Sequence, residues 1–286
     1  MDPQERFVTV SDGLKLFLRD LPAVGAEVGP PVLCLHGLTR NSRDFEAILP
    51  RIAAGGRRAL ALDVRGRGFS DNDPNPERYQ PPTYVGDVIQ ALDALAIPRA
   101  AFVGTSMGGL ITMILAALQP QRIERVVLND IGPKLEPEGL ARIAGYVGTG
   151  APFASWDEAA AKIKEINGAA FPDADDAFFA AIARRTCRER TPGQIALDYD
   201  PDIAVPFRQP GGAAPADLWA LFEALKPIPA LVVRGAISDL FSAATVAEMK
   251  AKKPDLESVE AARVGHAPML DEPAAWDALA RFLRLR

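Results

Sequence analysis

Six short strand-like runs alternate with longer helical patterns along this chain, and that alternation limits the fold more than any other feature. The runs are Pro31 to Leu35, Arg58 to Leu62, Ala100 to Val103, Arg125 to Leu128, Ala230 to Val233 and Glu257 to Arg263. Helical patterns follow at Arg43 to Ala53, Thr83 to Ala96, Met107 to Leu118, Asp217 to Leu225, Ala243 to Lys252 and Pro273 to Leu285. Mostly apolar strands separated by helices belong to a parallel sheet covered on both faces. Two further strands, Arg6 to Val10 and Leu14 to Leu18, flank Ser11-Asp12-Gly13 and read as a hairpin. The expectation is an α/β fold with a mostly parallel sheet of eight strands.

The alternation stops between about Ile131 and Pro215. "WDEAAAKIKEIN" and "DDAFFAAIARRTCRE" are amphipathic helices, and "DYDPDIAVPFRQPGGAAP" is a Pro/Gly-rich return. No convincing core strand lies there. The division expected is 1–131 for the first part of the core, 132–215 for a helical insertion and 216–286 for the second part.

The bulk numbers exclude some functions. A net charge of −5 argues against a nucleic-acid surface, which would need clustered Lys and Arg. The one basic cluster, Arg184, Arg185, Arg188 and Arg190, is interleaved with Glu189 and reads as a solvated helix face. Cys34 lies in an apolar run and Cys187 in the second insertion helix, so both are expected to be buried, unpaired thiols. "MDPQERFVTV" carries no signal-peptide pattern, and no run approaches the roughly 18 apolar residues of a membrane span. A cytoplasmic protein, a monomer or homodimer without membrane or nucleic-acid partners, is the expectation.

In an open parallel sheet, ligands bind beyond the carboxyl ends of the strands. The residues just past those ends are His36-Gly37-Leu38, Asp63 to Gly68, Ser106, Asn129-Asp130, Ser238-Asp239 and Gly265-His266. The chain has two histidines, and both fall on this edge. Gly104-Thr105-Ser106-Met107-Gly108 is G-x-S-x-G with a strand before it and a helix after it. So sharp a turn strains the serine backbone, and it needs glycine where neighbouring side chains would collide. It holds the serine oxygen clear of the sheet, at a helix N-terminus that favours developing negative charge. A phosphate loop is the competing reading, but the Gly-Lys-Ser/Thr and G-x-G-x-x-G patterns it needs are absent from this stretch.

A serine needs a base, and His266 is the natural one. His36, beside Gly37, is expected to orient its own loop instead. The base needs a carboxylate to fix its tautomer. Two candidates stand at strand ends: Asp239, after the seventh strand, which gives the order Ser, Asp, His, and Asp130, after the sixth. Asp239 is the preferred reading; Asp130 is the alternative, otherwise a turn or brace beside the site. Asp63 comes too early in the chain and is expected to hold the loop between Gly66 and Ser70.

At this point the chain resembles the α/β-hydrolase superfamily over nearly its whole length. The resemblance rests on "LHGL" (Leu35 to Leu38), "DVRGRGFS" (Asp63 to Ser70), "GTSMGG" (Gly104 to Gly109), "RGAISD" (Arg234 to Asp239) and "GHAPMLDEP" (Gly265 to Pro273), in the family's order. It implies a catalytic triad of Ser106, Asp239 and His266. It also implies an oxyanion hole from the backbone N–H groups of Leu38 and Met107, and a cap in place of the helical insertion. Neither a metal nor an organic cofactor is implied. A carboxylic ester or lactone with a small or medium, partly apolar acyl part is the substrate class expected. A C–C bond hydrolase is the nearest alternative, weakened because Thr105 and Ala267 stand where those enzymes usually carry Asn and Trp. A ligand-binding member with little turnover is a third reading. Phe153, Trp156, Tyr199, Phe171, Phe178, Phe179 and Phe207 are candidates to line the pocket, about half of them plain packing. Arg142 and Arg208 are candidates to meet a substrate carboxylate, with a solvated role preferred for each.

Overall fold

Among the described residues, ten strands form two sheets. The first six are β1 (Gln4–Thr9), β2 (Lys15–Leu21), β3 (Val32–Leu35), β4 (Ala59–Leu62), β5 (Ala100–Thr105) and β6 (Ile123–Asn129). After them come β7 (Cys187–Thr191), β8 (Gln194–Leu197), β9 (Ala230–Gly235) and β10 (Glu257–Ala261). The computed structural model describes residues 2–208 and 218–286. Its large sheet has eight strands in the order β1-β2-β4-β3-β5-β6-β9-β10. β1 and β2 make the expected antiparallel hairpin, and β2 meets β4 antiparallel. Every other pairing in this sheet is parallel. The alternation of strands and helices in the sequence corresponds to this sheet.

Side chains of successive strand residues point to opposite faces, so the central strands feed two cores. Leu33, Leu35 and Phe102 pack on one face with Val85 and Val88 of α2 (Pro81–Ala94) and Ile111 of α3 (Met107–Leu118). Val32, Cys34 and Val103 pack on the other with Ile52 of α1 (Leu49–Ala54) and Leu279 of the C-terminal helix Pro273–Phe282. Both faces are apolar because both are covered. The helix expected over Arg43 to Ala53 is divided into a 3-10 turn, Ser42–Phe45, and α1. Pro50 causes the division: without an N–H it fits the first turn of a helix but not the interior.

Between β6 and β9 the chain builds a separate layer. It contains α4 (Pro137–Tyr146), α5 (Trp156–Asn167), α6 (Asp176–Thr186) and the hairpin β7–β8. Ser155 and Asp175 cap α5 and α6 by accepting from the N–H groups of Glu158 and Phe178. Phe171, Phe179, Ile182, Cys187 and Ile195 give this layer its own core. The end of the insertion expected at 215, and the first residue of the helix expected from Asp217, lie outside the described residues. The rest of that helix is α7 (Leu218–Glu223), and α8 (Ala243–Lys252) and α9 (Pro273–Phe282) follow.

One expectation is corrected here. The helix read through Cys187 stops at Thr186, and Cys187 opens β7. The cause is Asp198, a buried carboxylate. Arg188 Nε donates to its Oδ1 at 2.8 Å, Arg190 Nη2 to the same oxygen at 3.2 Å, and Arg43 Nη2 to Oδ2 at 2.7 Å. Residues two apart share a face only in a strand, so one acceptor can gather Arg188 and Arg190 only if the segment is extended. The basic cluster is therefore no solvated helix face. Arg184 also has a partner, with its guanidinium 3.8 Å from the centre of the Trp156 ring. Both cysteines are buried and unpaired. Among the described residues, no helix is long and apolar enough to cross a membrane.

Candidate active site

Ser106 sits between the end of β5 and the first residue of α3, at φ 50° and ψ −114°. That is a left-handed conformation that a side chain resists, and its neighbours explain how it is held. A β-carbon on Gly104 would come within 2.5 Å of the Gly108 backbone, and one on Gly108 would overlap the Leu35 carbonyl oxygen. Two glycines let helix and strand approach closely enough to force the turn. Met107 is the first residue of α3, so its N–H has no acceptor inside the helix.

His266 lies in the loop after β10. Its Nε2 stands 3.0 Å from Ser106 Oγ, and its Nδ1 stands 2.8 Å from Asp130 Oδ2. The carboxylate that holds the histidine is therefore Asp130, and the expectation of Asp239 is corrected. Asp130 is fully buried at the end of β6. It accepts from the Gly235 N–H at 2.7 Å on Oδ1 and from the Ser238 hydroxyl at 2.6 Å on Oδ2. Charge-assisted hydrogen bonds of this kind suit an ionised carboxylate. Asp239 faces the insertion instead. Its two oxygens accept from Arg142 Nε at 2.5 Å and Nη2 at 2.8 Å. This bond to Arg142 holds the Asp239 carboxyl below its ordinary range, against the opposing effect of burial. Arg142, a candidate for a substrate carboxylate, is thus occupied, and Arg208 is exposed.

His36 is fully buried and tied at both ring nitrogens. Its Nε2 accepts the Val64 N–H at 3.0 Å, so Nδ1 carries the proton and donates to the Gly37 carbonyl at 2.7 Å. Burial pushes its pKa down to about 4, which keeps the ring neutral. The same Gly37 carbonyl accepts from the Arg40 N–H at 3.2 Å. A trans peptide places its N–H opposite its C=O, so the Leu38 N–H is turned away from His36. Leu38 lines the cavity beside Ser106. On its far side, the Leu38 carbonyl accepts from Nε of the buried Arg67 at 3.0 Å. Sequence reasoning missed Arg67, although it stands inside "DVRGRGFS". Asp63 is where that motif places it: Oδ1 accepts from the Ser42 N–H and Oδ2 from the Phe69 N–H, at 2.6 and 2.8 Å.

The cavity over Ser106 has a volume of about 90 Å³. Tyr199 and Phe171 line it, together with Tyr146, Ile143, Ile163 and Met269. Four of the expected lining residues, Trp156, Phe153, Phe178 and Phe179, do not. Trp156 stacks under Arg184 on the outside of α5, and Phe153 packs in the core of the insertion beside a second hollow. Phe178 and Phe179 stack on each other within that core, ring centres 5.4 Å apart. The side chain of Phe207 lies outside the described residues. These positions were ambiguous in sequence because a small helical layer needs aromatics for its own packing. Among the described residues, no group of three or more His, Cys, Asp or Glu side chains could hold a metal ion.

With Ser106 bonded to an imidazole and that imidazole bonded to a buried carboxylate, the arrangement can withdraw a proton from Ser106 and return it to a leaving group. Comparison with known proteins agrees with the fold. A solved α/β hydrolase from Novosphingobium aromaticivorans is 46% identical, with a TM-score of 0.93 over 99% of this chain and 98% of that one. The 3-hydroxybutyrate-oligomer hydrolase of Cupriavidus necator is 40% identical over 259 residues, 87% of each chain. The structure of an E-2-(acetamidomethylene)succinate hydrolase matches at 25% identity and a TM-score of 0.82, covering 99% of both chains. The family model for the alpha/beta hydrolase fold matches residues 30–273, and the chain belongs to that hydrolase family.

Proposed function

We propose that this protein is a serine hydrolase that cleaves a small carboxylic ester or lactone through an acyl-enzyme. The observation that carries the reading is the unbroken hydrogen-bonded path from Ser106 through His266 to Asp130. His266 Nε2 takes the hydroxyl proton as Ser106 Oγ attacks the carbonyl carbon. The Leu38 and Met107 N–H groups receive the oxyanion; losing one such donor typically costs about 10² to 10³ in rate. Asp130 stabilises the imidazolium. His266 then protonates the leaving alcohol, and a water activated by the same nitrogen releases the acid and frees Ser106. The similarity to a 3-hydroxybutyrate-oligomer hydrolase supports an ester of a short hydroxy acid as the substrate, and the small cavity agrees with that size. The insertion between β6 and β9 acts as the cap that closes this cavity.

Hydrolysis of p-nitrophenyl acetate, butyrate and octanoate by the wild type and by Ser106→Ala tests this. Turnover of the short esters that disappears in the variant is expected. Turnover that survives in Ser106→Ala would remove the serine from the mechanism, and faster turnover of octanoate than butyrate would overturn the assigned acyl size.

A further inference from the structure

Arg40 is the single cationic side chain among the described residues that line the cavity over Ser106. Its Nε donates to both oxygens of Asp44, at 3.0 and 2.8 Å. That contact fixes the plane of the guanidinium. Burial opposes the charge, but Asp44 more than compensates and holds the group cationic. The Nη edge is differently placed. Among the described residues its only polar partner is the Met269 sulfur, 3.9 Å from Nη2, a weak acceptor. A guanidinium carries five N–H donors in a rigid fork suited to a carboxylate. Here one donor is spent on positioning, and the Nη edge lacks an oxygen acceptor.

The position relative to the nucleophile follows from Gly37. The site of a β-carbon on Gly37 is 3.6 Å from Arg40 Cγ and 3.8 Å from Ser106 Cβ. Arg40 and the serine therefore flank the same few ångströms of the loop that carries Leu38. Other cations nearby are taken: both donors of Arg142 that face Asp239 are used, Arg43 is bound to Asp198, and Arg67 holds the Leu38 carbonyl. Tyr146 and Thr39 line the same wall and supply hydroxyls but no charge.

We infer that Arg40 binds a free carboxylate of the substrate, so the preferred ester is one of a short hydroxy acid whose acid end is ionised and lies a few bonds from the scissile carbonyl. This rests on the serine-hydrolase reading above and adds substrate selection to it. Asp44 sets the angle of the fork, and the Nη edge makes the charge-assisted contact.

The test compares kcat/KM for the linear dimer of 3-hydroxybutyrate as the free acid and as its methyl ester. Wild type, Arg40→Gln and Arg40→Lys are measured, with p-nitrophenyl butyrate as the reference for active enzyme in each. The free acid is expected to be preferred by the wild type. That preference should fall about 10- to 100-fold in Arg40→Gln and by less in Arg40→Lys, the range for a hydrogen bond to a charged group. An acid-to-ester ratio that stays the same in Arg40→Gln, with both rates falling together, would mean that Arg40 only braces its loop and would overturn the inference. So would a wild type that turns over p-nitrophenyl butyrate but shows no preference for the free acid, an outcome that leaves the serine-hydrolase reading intact. If no ester is turned over, that reading fails, and calorimetric titration of Ser106→Ala with sodium 3-hydroxybutyrate decides the carboxylate site alone. Binding that Arg40→Gln abolishes supports it; equal binding, or none, overturns it.

Discussion

Asp130 and Asp239 show how much a single residue's role depends on neighbours that the sequence does not reveal. Ser106 could be singled out because the glycine spacing is a steric requirement of the turn, and His266 because only two histidines exist to choose between. The two aspartates offered no such handle, since both stand at strand ends in the same chain order. What separates them is who bonds to them. Gly235 and Ser238, over a hundred residues away, converge on Asp130, and Arg142 from α4 takes Asp239. The difference is measurable. Asp130→Asn keeps the shape but offers His266 an amide, favouring the wrong tautomer, and about a 10⁴-fold loss in kcat is expected by analogy with other triads. Asp239→Asn should cost less than about tenfold, because Asp239 bonds Arg142 and not His266, and a partly exposed ion pair contributes about 1 kcal/mol. Ester hydrolysis rates of the two variants would settle it, and the reverse ranking would return the role to Asp239.

Among the elements, the helices and strands of the core were legible because each had one dominant pattern. α3 starts and ends where its apolar period, the glycine turn before it and Pro120 after it place it. The hairpin β7–β8 was not legible, because β7 is mostly charged after Cys187 and its shape depends on Asp198, seven positions past Thr191 in the chain. Glycine shows the same contrast between local and tertiary causes. Gly108 in α3 meets the backbone of β3, which is paired on both sides and has no freedom to yield. Gly86 in α2 faces open space, with nothing within 4 Å of its missing β-carbon. Gly108→Ala should therefore cost about 3 kcal/mol or more, or prevent folding. Gly86→Ala should stabilise by about 0.5 to 1 kcal/mol through helix propensity alone. Urea unfolding of the two variants checks the pair, and equal effects would mean that the close contact between α3 and β3 is not what Gly108 serves.

For the molecule as a whole, acidity is the informative variable. His36 is held neutral with a pKa near 4, against 6.5 in an unfolded chain. The folded state therefore binds fewer protons than the unfolded state between those values, and stability falls as pH drops through that window. The full effect is about 3 kcal/mol. Asp63 works in the opposite direction, because burial raises its pKa to about 6 and its folded form gains stability as pH falls toward 4. Comparing variants isolates the first effect, since Asp63 is common to both. Between pH 7 and 4.5, the urea midpoint of wild type should fall more steeply than that of His36→Gln. Parallel slopes would show that His36 titrates normally in the fold.

The three groups proposed to act together are brought from far apart: Ser106 is 160 positions from His266, and Asp130 is 136 positions from it. β5, β6 and the loop beyond β10 must all be in register before the hydrogen bonds between them exist. Secondary structure can form piecemeal, but this contact cannot, and parallel pairing over such separations is slow. During refolding, ellipticity will recover first and esterase activity last. If the proposed ester hydrolysis holds, the protein carries its own assay for completeness: the rate of turnover counts finished molecules and ignores every partly assembled one.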